Sequence, residues 1–220
     1  MTIINSKQIP AFISFLKTAT PGGIKAQFEL APRFRQPYDL AVIKAQNPKL
    51  AGVSIIFFED HGYLSIVLTK RADYSGGHHA AQISFPGGKQ SEADISLKQT
   101  AIRETHEEIG VSLKNTAFVC QLSELYIPVS RFLVTPYVFF LPYKPEFTTN
   151  YEVENVLTSP WPQLMDKHNI SDKEVGRHKD NYPLISPGVN YQGEFIWGAT
   201  VMMLNELKHL TVDFLNKTDG

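Results

Sequence analysis

The chain has 220 residues, of which 43% are hydrophobic, and this composition is typical of a globular protein long enough to bury a sizeable core. Its formal net charge of −1 gives no global field that would attract nucleic acid or an anionic membrane. The single cysteine, Cys120, excludes an internal disulfide and a cysteine-based zinc cluster, and we expect it to be a packed core thiol.

Residues 1–50 predict a helical and irregular extension that packs on the rest of the chain. Apolar residues at helical spacing predict one helix there, formed around Ile9, Phe12, Phe15 and Leu16. The start of the chain lacks a signal-peptide pattern, and no apolar run approaches the length of a membrane span. We therefore expect one domain covering residues 1–220 and a cytoplasmic location.

Two β-branched and aromatic runs, residues 53–58 and 63–68, predict a hairpin, because Asp60-His61-Gly62 between them has the chemistry of a tight turn. Lys70 and Arg71 follow at the end of the second strand. Two cations there can bind an anionic ligand, and a solvated strand end explains them equally well.

Residues 74–79 predict a loop, and the adjacent His78 and His79 are not expected to form a metal pair because neighbouring side chains point apart in most backbones. Residues 82–85 then predict a short strand that leads into Gly87 and Gly88. A glycine pair after an apolar strand lets the backbone approach a ligand closely.

The next segment predicts a capped helix. Ser96 and Gln99 fit a capping box, so the helix should begin near Leu97, and Gly110 suits the left-handed position just past its end. Apolar residues at seven-residue intervals, with two small neighbours, predict the stripe that seats this helix on a sheet: Ile95, Ile102 and Ile109, flanked by Ala101 and Thr105.

The other face of this helix is acidic. Glu104, Glu107 and Glu108 are spaced i, i+3 and i+4, so their carboxylates converge, although like charges at this spacing cost roughly 0.2–0.5 kcal/mol per pair. A sequence that keeps such mutually repelling charges on one helix face indicates a functional site. Crowded hard oxygen ligands suit Mg²⁺ or Mn²⁺, and Arg103 can hold Glu107 at i+4. A solvated helix face is the alternative, and the glycine turn in front favours the metal site.

The remainder of the chain predicts scaffold around this helix. Residues 117–122 and 132–141 predict strands, and residues 166–190 predict either a variable insertion or a strand-loop-strand. Residues 197–215, apolar at helical intervals, predict a packed carboxy-terminal helix. Glu152 lies in an acidic segment and is a candidate for a carboxylate supplied from outside the helix, and an acidic loop explains it equally well.

The stretch from Arg103 to Val111, Arg-Glu-Thr-His-Glu-Glu-Ile-Gly-Val, resembles the signature helix of the Nudix hydrolase family. Asp94 stands where that signature usually has Glu, and it lies one residue farther from Arg103. The longer spacing, with Phe-Pro-Gly-Gly in front, is similar to the branch that contains the coenzyme A pyrophosphatases. Four further segments are similar to that branch: residues 68–71, 127–130, 134–136 and 196–200.

The resemblance implies an α/β fold, a Nudix-type α/β/α sandwich in which a mixed sheet carries the acidic helix. It implies a divalent-metal-dependent pyrophosphohydrolase that cleaves a nucleoside diphosphate derivative. The first candidate substrate is coenzyme A or acyl-coenzyme A, which would be cleaved to phosphopantetheine and adenosine bisphosphate. Expected Mg²⁺ or Mn²⁺ ligands are Glu104, Glu107, Glu108 and the Gly88 carbonyl. Expected catalytic residues are Glu107 or Glu152 as base, with Arg103, and expected substrate-binding residues are Lys70, Arg71, Gly87 and Gly88.

Two alternatives stay open. Gly77 and Ala81 stand where the coenzyme A branch typically has Arg and Gly, so ADP-ribose, a dinucleotide or a nucleotide sugar is an alternative substrate. The second alternative is that the protein is a non-catalytic nucleotide-binding module, although such a module has no need of an acidic patch whose charges repel one another. The sequence predicts a small nucleotide as partner, no nucleic acid and no membrane, and it is compatible with a homodimer.

Overall fold

The computed structural model describes residues 3–73 and 82–218. The helices are, in chain order, α1 (Ile9–Leu16), α2 (Gly23–Phe28), α3 (Leu40–Ala45), α4 (Leu97–Ile109) and α5 (Ala199–Thr218). The strands are β1 (Lys49–Asp60), β2 (Tyr63–Arg71), β3 (Ile83–Ser84), β4 (Gly87–Lys89), β5 (Phe118–Gln121), β6 (Leu125–Ile127), β7 (Phe132–Leu141), β8 (Val153–Pro160), β9 (Ile170–Arg177), β10 (Pro183–Tyr191) and β11 (Glu194–Trp197). Within these described ranges, no helix combines the length and the apolar character needed to cross a membrane.

The strands of the described residues form an eight-stranded mixed sheet and a three-stranded antiparallel sheet. The large sheet has the order β3-β2-β1-β7-β5, with β4 paired to β1, β6 to β7 and β8 to β2. Its central pair, β1 and β7, is parallel, whereas β1 and β2 are antiparallel. The predicted α/β class with a mixed sheet is therefore confirmed.

The turn between β1 and β2 follows from its sequence. His61 and Gly62 have positive φ values of 49° and 83°, and Asp60 pairs directly with Tyr63. Two left-handed residues between antiparallel strands make the tight turn whose twist matches the strands. The predicted hairpin is confirmed, and β2 ends at Arg71 as expected.

Successive residues of β1 point to opposite faces of the sheet, and both faces are covered. Ile55 and Phe57 contribute to the core that contains α1 and α5, whereas Ile56 and Phe58 contribute to the core that contains α4. All four side chains are fully buried. The large sheet thus lies between α4 and the terminal helices, as an α/β/α sandwich. Cys120 packs half-buried against the first core, and burial raises the pKa of its thiol to about 12.

The aromatic residue Phe12 attaches α1 to the sandwich. It is fully buried, with its ring centroid 6.0 Å from that of Phe57 and 5.2 Å from that of Phe214. We expect Phe12→Ala to lower the free energy of unfolding by about 3–5 kcal/mol, because it leaves a cavity among these rings. Urea denaturation measures this, with Phe34→Ala, at an exposed position, as the control. A loss that is equal in both variants would contradict the prediction.

The predicted apolar stripe of α4 is wrong at its first position. Ile95 is 91% exposed, because it precedes the helix, and Ile102 is only partly buried. The buried face combines small, polar and apolar side chains: Thr100, Ala101, Thr105, Glu108 and Ile109. The helix therefore approaches the sheet through small residues, which brings its backbone close to β1.

The carboxy-terminal half differs from expectation in one detail. Trp197 belongs to β11, so the last helix begins at Ala199 rather than at the tryptophan. The segment after Glu152 forms β8, whose Glu154 and Asn155 are exposed. The strand-loop-strand predicted for residues 166–190 is confirmed by β9 and β10.

Candidate active site

Local capping determines where α4 begins and ends. Ser96 Oγ accepts the Gln99 N–H at 3.2 Å, and Gln99 Oε1 accepts the Ile95 N–H at 2.9 Å. Gly110 has φ 73° and terminates the helix in the left-handed conformation. The helix limits predicted from these residues are confirmed.

Close packing against β1 holds α4 in register with the sheet. A Cβ atom added to Gly52 would overlap the Leu97 carbonyl oxygen, so a glycine is required where helix and strand cross. Thr105 Oγ1 donates to Ser54 Oγ at 2.8 Å, and Ser54 Oγ donates to the Ala101 carbonyl at 3.1 Å. The polar residue at position 105 thus joins the helix to the strand.

The glycine turn of β4 contacts two of the helix glutamates. The Gly87 N–H donates to Glu108 Oε2 at 3.0 Å. A Cβ atom added to Gly88 would lie 2.7 Å from Glu104 Oε1 and closer still to the other atoms of that carboxyl group. The structure therefore brings both predicted glycines against Glu104 and Glu108.

Arg103 joins the acidic face to the loop in front of the helix. Its Nε and Nη2 donate to the two oxygens of Asp94 at 3.0 and 2.8 Å, and its Nη1 lies 2.8 Å from Glu104 Oε1 and 3.0 Å from Glu107 Oε2. Asp94 is 8% exposed and also accepts from Thr100 Oγ1. The paired guanidinium holds the Asp94 pKa well below its usual range. Arg103 is thereby positioned from both sides.

Glu152 lies next to the same helix, although it comes from a distant loop. The Asn150 N–H donates to the Glu108 carbonyl at 3.1 Å, and the Ala72 N–H donates to the Glu152 carbonyl at 2.9 Å. Arg71 links the two carboxylates, with Nη1 3.5 Å from Glu108 Oε1 and Nη2 3.6 Å from Glu152 Oε2. The end of β2 therefore supplies a cation to this cluster.

Lys70 contacts different carboxylates from its neighbour. Its Nζ lies 3.0 Å from Glu194 Oε1 and 3.1 Å from Glu154 Oε1, and hydrogen bonding to Glu194 and Glu154 raises its pKa. Glu194 belongs to the small sheet and was not singled out from the sequence, because nothing in its local pattern indicates this partner. Of the two predicted cations, Arg71 meets the helix glutamates and Lys70 meets a second acidic pair.

Burial and mutual repulsion shape the electrostatics of the glutamates. Glu108 has a 4% exposed side chain, and burial raises its pKa to about 7, with Glu104 and Glu152 adding to the shift. Burial likewise raises the pKa of Glu104, with Glu107 and Glu152 contributing. Glu107 is the most accessible of the three helix carboxylates, at 51% exposure, and Glu152 is 40% exposed.

This donor set fits a hard divalent cation. It consists of carboxylate oxygens that repel one another beside a glycine backbone, and such oxygens are the ligands that Mg²⁺ and Mn²⁺ prefer. Within residues 3–73 and 82–218, no three acidic, histidine or cysteine side chains already converge on one metal position. Arg103 and Arg71 are the present partners of these carboxylates.

The buried Glu108 makes stability depend on pH. Its pKa rises from 4.5 to about 7 on folding, so between these values the folded protein holds a proton that the unfolded chain has lost. Stability contributed by this group therefore falls as pH rises through that window. In chelator, we expect the Tm of wild type minus that of Glu108→Gln to decrease from about pH 5 to about pH 8. A constant difference would contradict the assignment.

The protein is of the α/β class, with an acidic helix packed on a mixed sheet. The backbone of a glycine turn faces this helix, and together they form a carboxylate site suited to divalent cations. The NUDIX domain profile matches residues 48–179. The chain is 30% identical over 144 residues to NudL, an uncharacterized Nudix hydrolase of Yersinia pestis (strain Pestoides F), covering 65% of this chain and 70% of that protein. This chain therefore belongs to the Nudix hydrolase family.

A solved structure shows the same fold, and a second is a similar structure. A MutT/nudix family protein from Enterococcus faecalis matches with a TM-score of 0.50 at 12% identity, covering 79% of this chain and 70% of that one. RenU, a Nudix hydrolase from M. smegmatis, has a TM-score of 0.49 at 13% identity, covering 84% and 94%. Family membership makes the protein a pyrophosphohydrolase of nucleoside diphosphate derivatives, in a family that generally uses divalent metals.

The loop predicted for residues 74–79, with His78 and His79, lies outside the described residues, as do Gly77 and Ala81. All the predicted site residues lie among the described ones: Lys70, Arg71, Gly87, Gly88, Arg103, Glu104, Glu107, Glu108 and Glu152.

Proposed function

We propose that this Nudix hydrolase cleaves the diphosphate linkage of coenzyme A or an acyl-coenzyme A, giving phosphopantetheine and the adenosine bisphosphate half. The observation that carries the hydrolytic part is the contact of Gly87 and Gly88 with the carboxylates of Glu108 and Glu104. The coenzyme A part is supported by the sequence resemblance to that branch of the family. In this proposal the protein acts in the cytoplasm and its partners are small nucleotides. It acts as a monomer or as a homodimer.

Glu104 and Glu108, with Glu107 and the Gly88 carbonyl, are the residues that would hold Mg²⁺ or Mn²⁺. When bound, a divalent cation neutralises diphosphate charge and lowers the pKa of a water molecule. The packing of Glu104 against Gly88 and the Gly87 N–H on Glu108 keep both carboxylates in place before substrate arrives. Such preorganisation is what makes electrostatic stabilisation effective.

Glu152 is the stronger candidate for the general base. Glu107 Oε2 is 3.0 Å from the Arg103 guanidinium and serves to orient that residue, whereas Glu152 faces Arg71 at the longer distance of 3.6 Å. Glu152 is also 40% exposed, so water can reach it. In this proposal it accepts the proton as water attacks phosphorus. Lys70, Arg71 or Arg103 would balance the charge that develops on the phosphoryl oxygens.

The test is hydrolysis by the purified protein of coenzyme A, acyl-coenzyme A, ADP-ribose, NADH, diadenosine polyphosphates and nucleotide sugars, each with Mg²⁺, with Mn²⁺ and with chelator. We expect metal-dependent cleavage that is fastest for coenzyme A or its acyl forms. Faster cleavage of another compound would refute the coenzyme A assignment and leave the reaction class standing. Absence of turnover on every compound would refute the catalytic proposal and favour a nucleotide-binding module.

A further inference from the structure

Arg71 contacts Glu108, a carboxylate of the proposed metal site, and Glu152, the proposed general base. Its Nη1 lies 3.5 Å from Glu108 Oε1, and its Nη2 lies 3.6 Å from Glu152 Oε2. The second oxygen of Glu108 accepts the Gly87 N–H at 3.0 Å. Both oxygens of this nearly buried carboxylate therefore already face a positive or partially positive group.

A divalent cation held by Glu108 would share this carboxylate with Arg71. Two cations at one carboxylate repel each other, and the repulsion is strong because a 4% exposed carboxylate is poorly screened by water and salt. Arg71 itself is the last residue of β2 and is 35% exposed. Its guanidinium can therefore leave Glu108 toward solvent without disturbing the core.

We propose that Arg71 competes with the divalent cation for Glu108, and that cation binding releases its guanidinium to the diphosphate of the substrate. The second half of this statement rests on the proposed function. A guanidinium suits both positions because its planar fork matches carboxylate and phosphate geometry alike. The exchange imposes an order, in which the cation binds first and the diphosphate meets a released arginine second.

Competition is tested by titrating purified protein with Mn²⁺ in a calorimeter, without substrate. Arg71→Met is expected to bind Mn²⁺ about 3- to 10-fold more tightly than wild type, the scale of one or two partly exposed ion pairs. Arg33→Met is the matched control, because it removes the same charge from an ion pair with Asp172 at 3.1 Å. Its Mn²⁺ affinity should equal that of wild type. Glu108→Gln should lose the binding and thereby locate the ion.

Equal or weaker Mn²⁺ binding by Arg71→Met would overturn the competition, because Arg71 would then only orient the carboxylates. An equal gain in Arg33→Met would overturn it as well, since the effect would reflect net charge alone. Circular dichroism checks the fold of each variant. Arg71→Gln is a second neutral variant that decides the question if the methionine variant does not fold.

Kinetics separate this inference from the proposed function. If wild type hydrolyses coenzyme A, the KM of Arg71→Met should rise about 10-fold or more, because a charge-assisted contact to the diphosphate is lost, while Mn²⁺ binds more tightly. An unchanged KM would overturn the release step. If no compound is hydrolysed, the proposed function fails, and the Mn²⁺ titration still decides whether Arg71 competes with the cation.

Discussion

Glu108→Gln is expected to lower kcat/KM by at least about 10²-fold, the scale that loss of one preorganised electrostatic partner costs, while leaving the protein folded. The glutamine keeps an acceptor for the Gly87 N–H and nearly the same volume, but it removes the negative charge that a divalent cation needs. Glu104→Gln should act in the same direction. Steady-state kinetics with the preferred substrate, together with circular dichroism and thermal melting, measure both effects.

The control for this substitution is Glu174→Gln. Glu174 is 44% exposed and pairs with Arg177 on β9, so its neutralisation should leave kcat/KM within about twofold of wild type. Wild-type turnover in purified Glu108→Gln and Glu104→Gln would show that the reaction does not depend on these carboxylates. The proposed metal site would then be wrong, whatever the substrate.

Gly88→Ala is expected to lower kcat/KM by about 10²-fold with little loss of stability, because a displacement near 1 Å at a catalytic group costs about that much. The added Cβ would collide with the carboxyl group of Glu104, which is the far end of a flexible side chain. That side chain can move away at small cost to the fold, and the carboxylate then leaves its position. Kinetics and thermal melting of the same preparation separate the two effects.

Gly52→Ala is the matched comparison, since it adds the same methyl group one strand away. Its Cβ would meet the Leu97 carbonyl oxygen and lie 3.2 Å from the Ala101 N, both backbone atoms that cannot move alone. We expect this variant to lose at least about 1–3 kcal/mol of stability by overpacking. Unimpaired activity in Gly88→Ala, or a larger loss of stability there than in Gly52→Ala, would contradict the close approach of Glu104 to the turn.

Features decided by neighbours along the chain could be predicted from the sequence. Ser96 and Gln99 bond to backbone groups within four residues, so the start of α4 follows from local chemistry alone. Gly110 ends the helix for a similarly local reason, and His61-Gly62 determines the β1–β2 turn. The seven-residue repeat wrongly predicted that Ile95 belongs to the buried stripe of α4, because a periodic pattern does not show where the helix itself begins.

Contacts between distant segments were decided only by the tertiary structure. Lys70 and Arg71 are equivalent as a sequence pair, but one meets Glu154 and Glu194 and the other meets Glu108 and Glu152. The sequence places Asp94 at the early acidic position of the signature. Its two hydrogen bonds from Arg103, however, depend on how the loop folds back onto the helix.

The sequence by itself determined the acidic helix, its caps, the glycine turn and the family to which they point, because hydrogen bonds and side-chain spacing within one element depend on near neighbours. Only the tertiary structure decided that Glu152 reaches this helix and that Arg71 lies between Glu108 and Glu152. The positions of Arg71 and Glu152 follow from the pairing of β2 with β8 and from the hydrogen bond between the Asn150 N–H and the end of α4. Both depend on residues far apart in the chain.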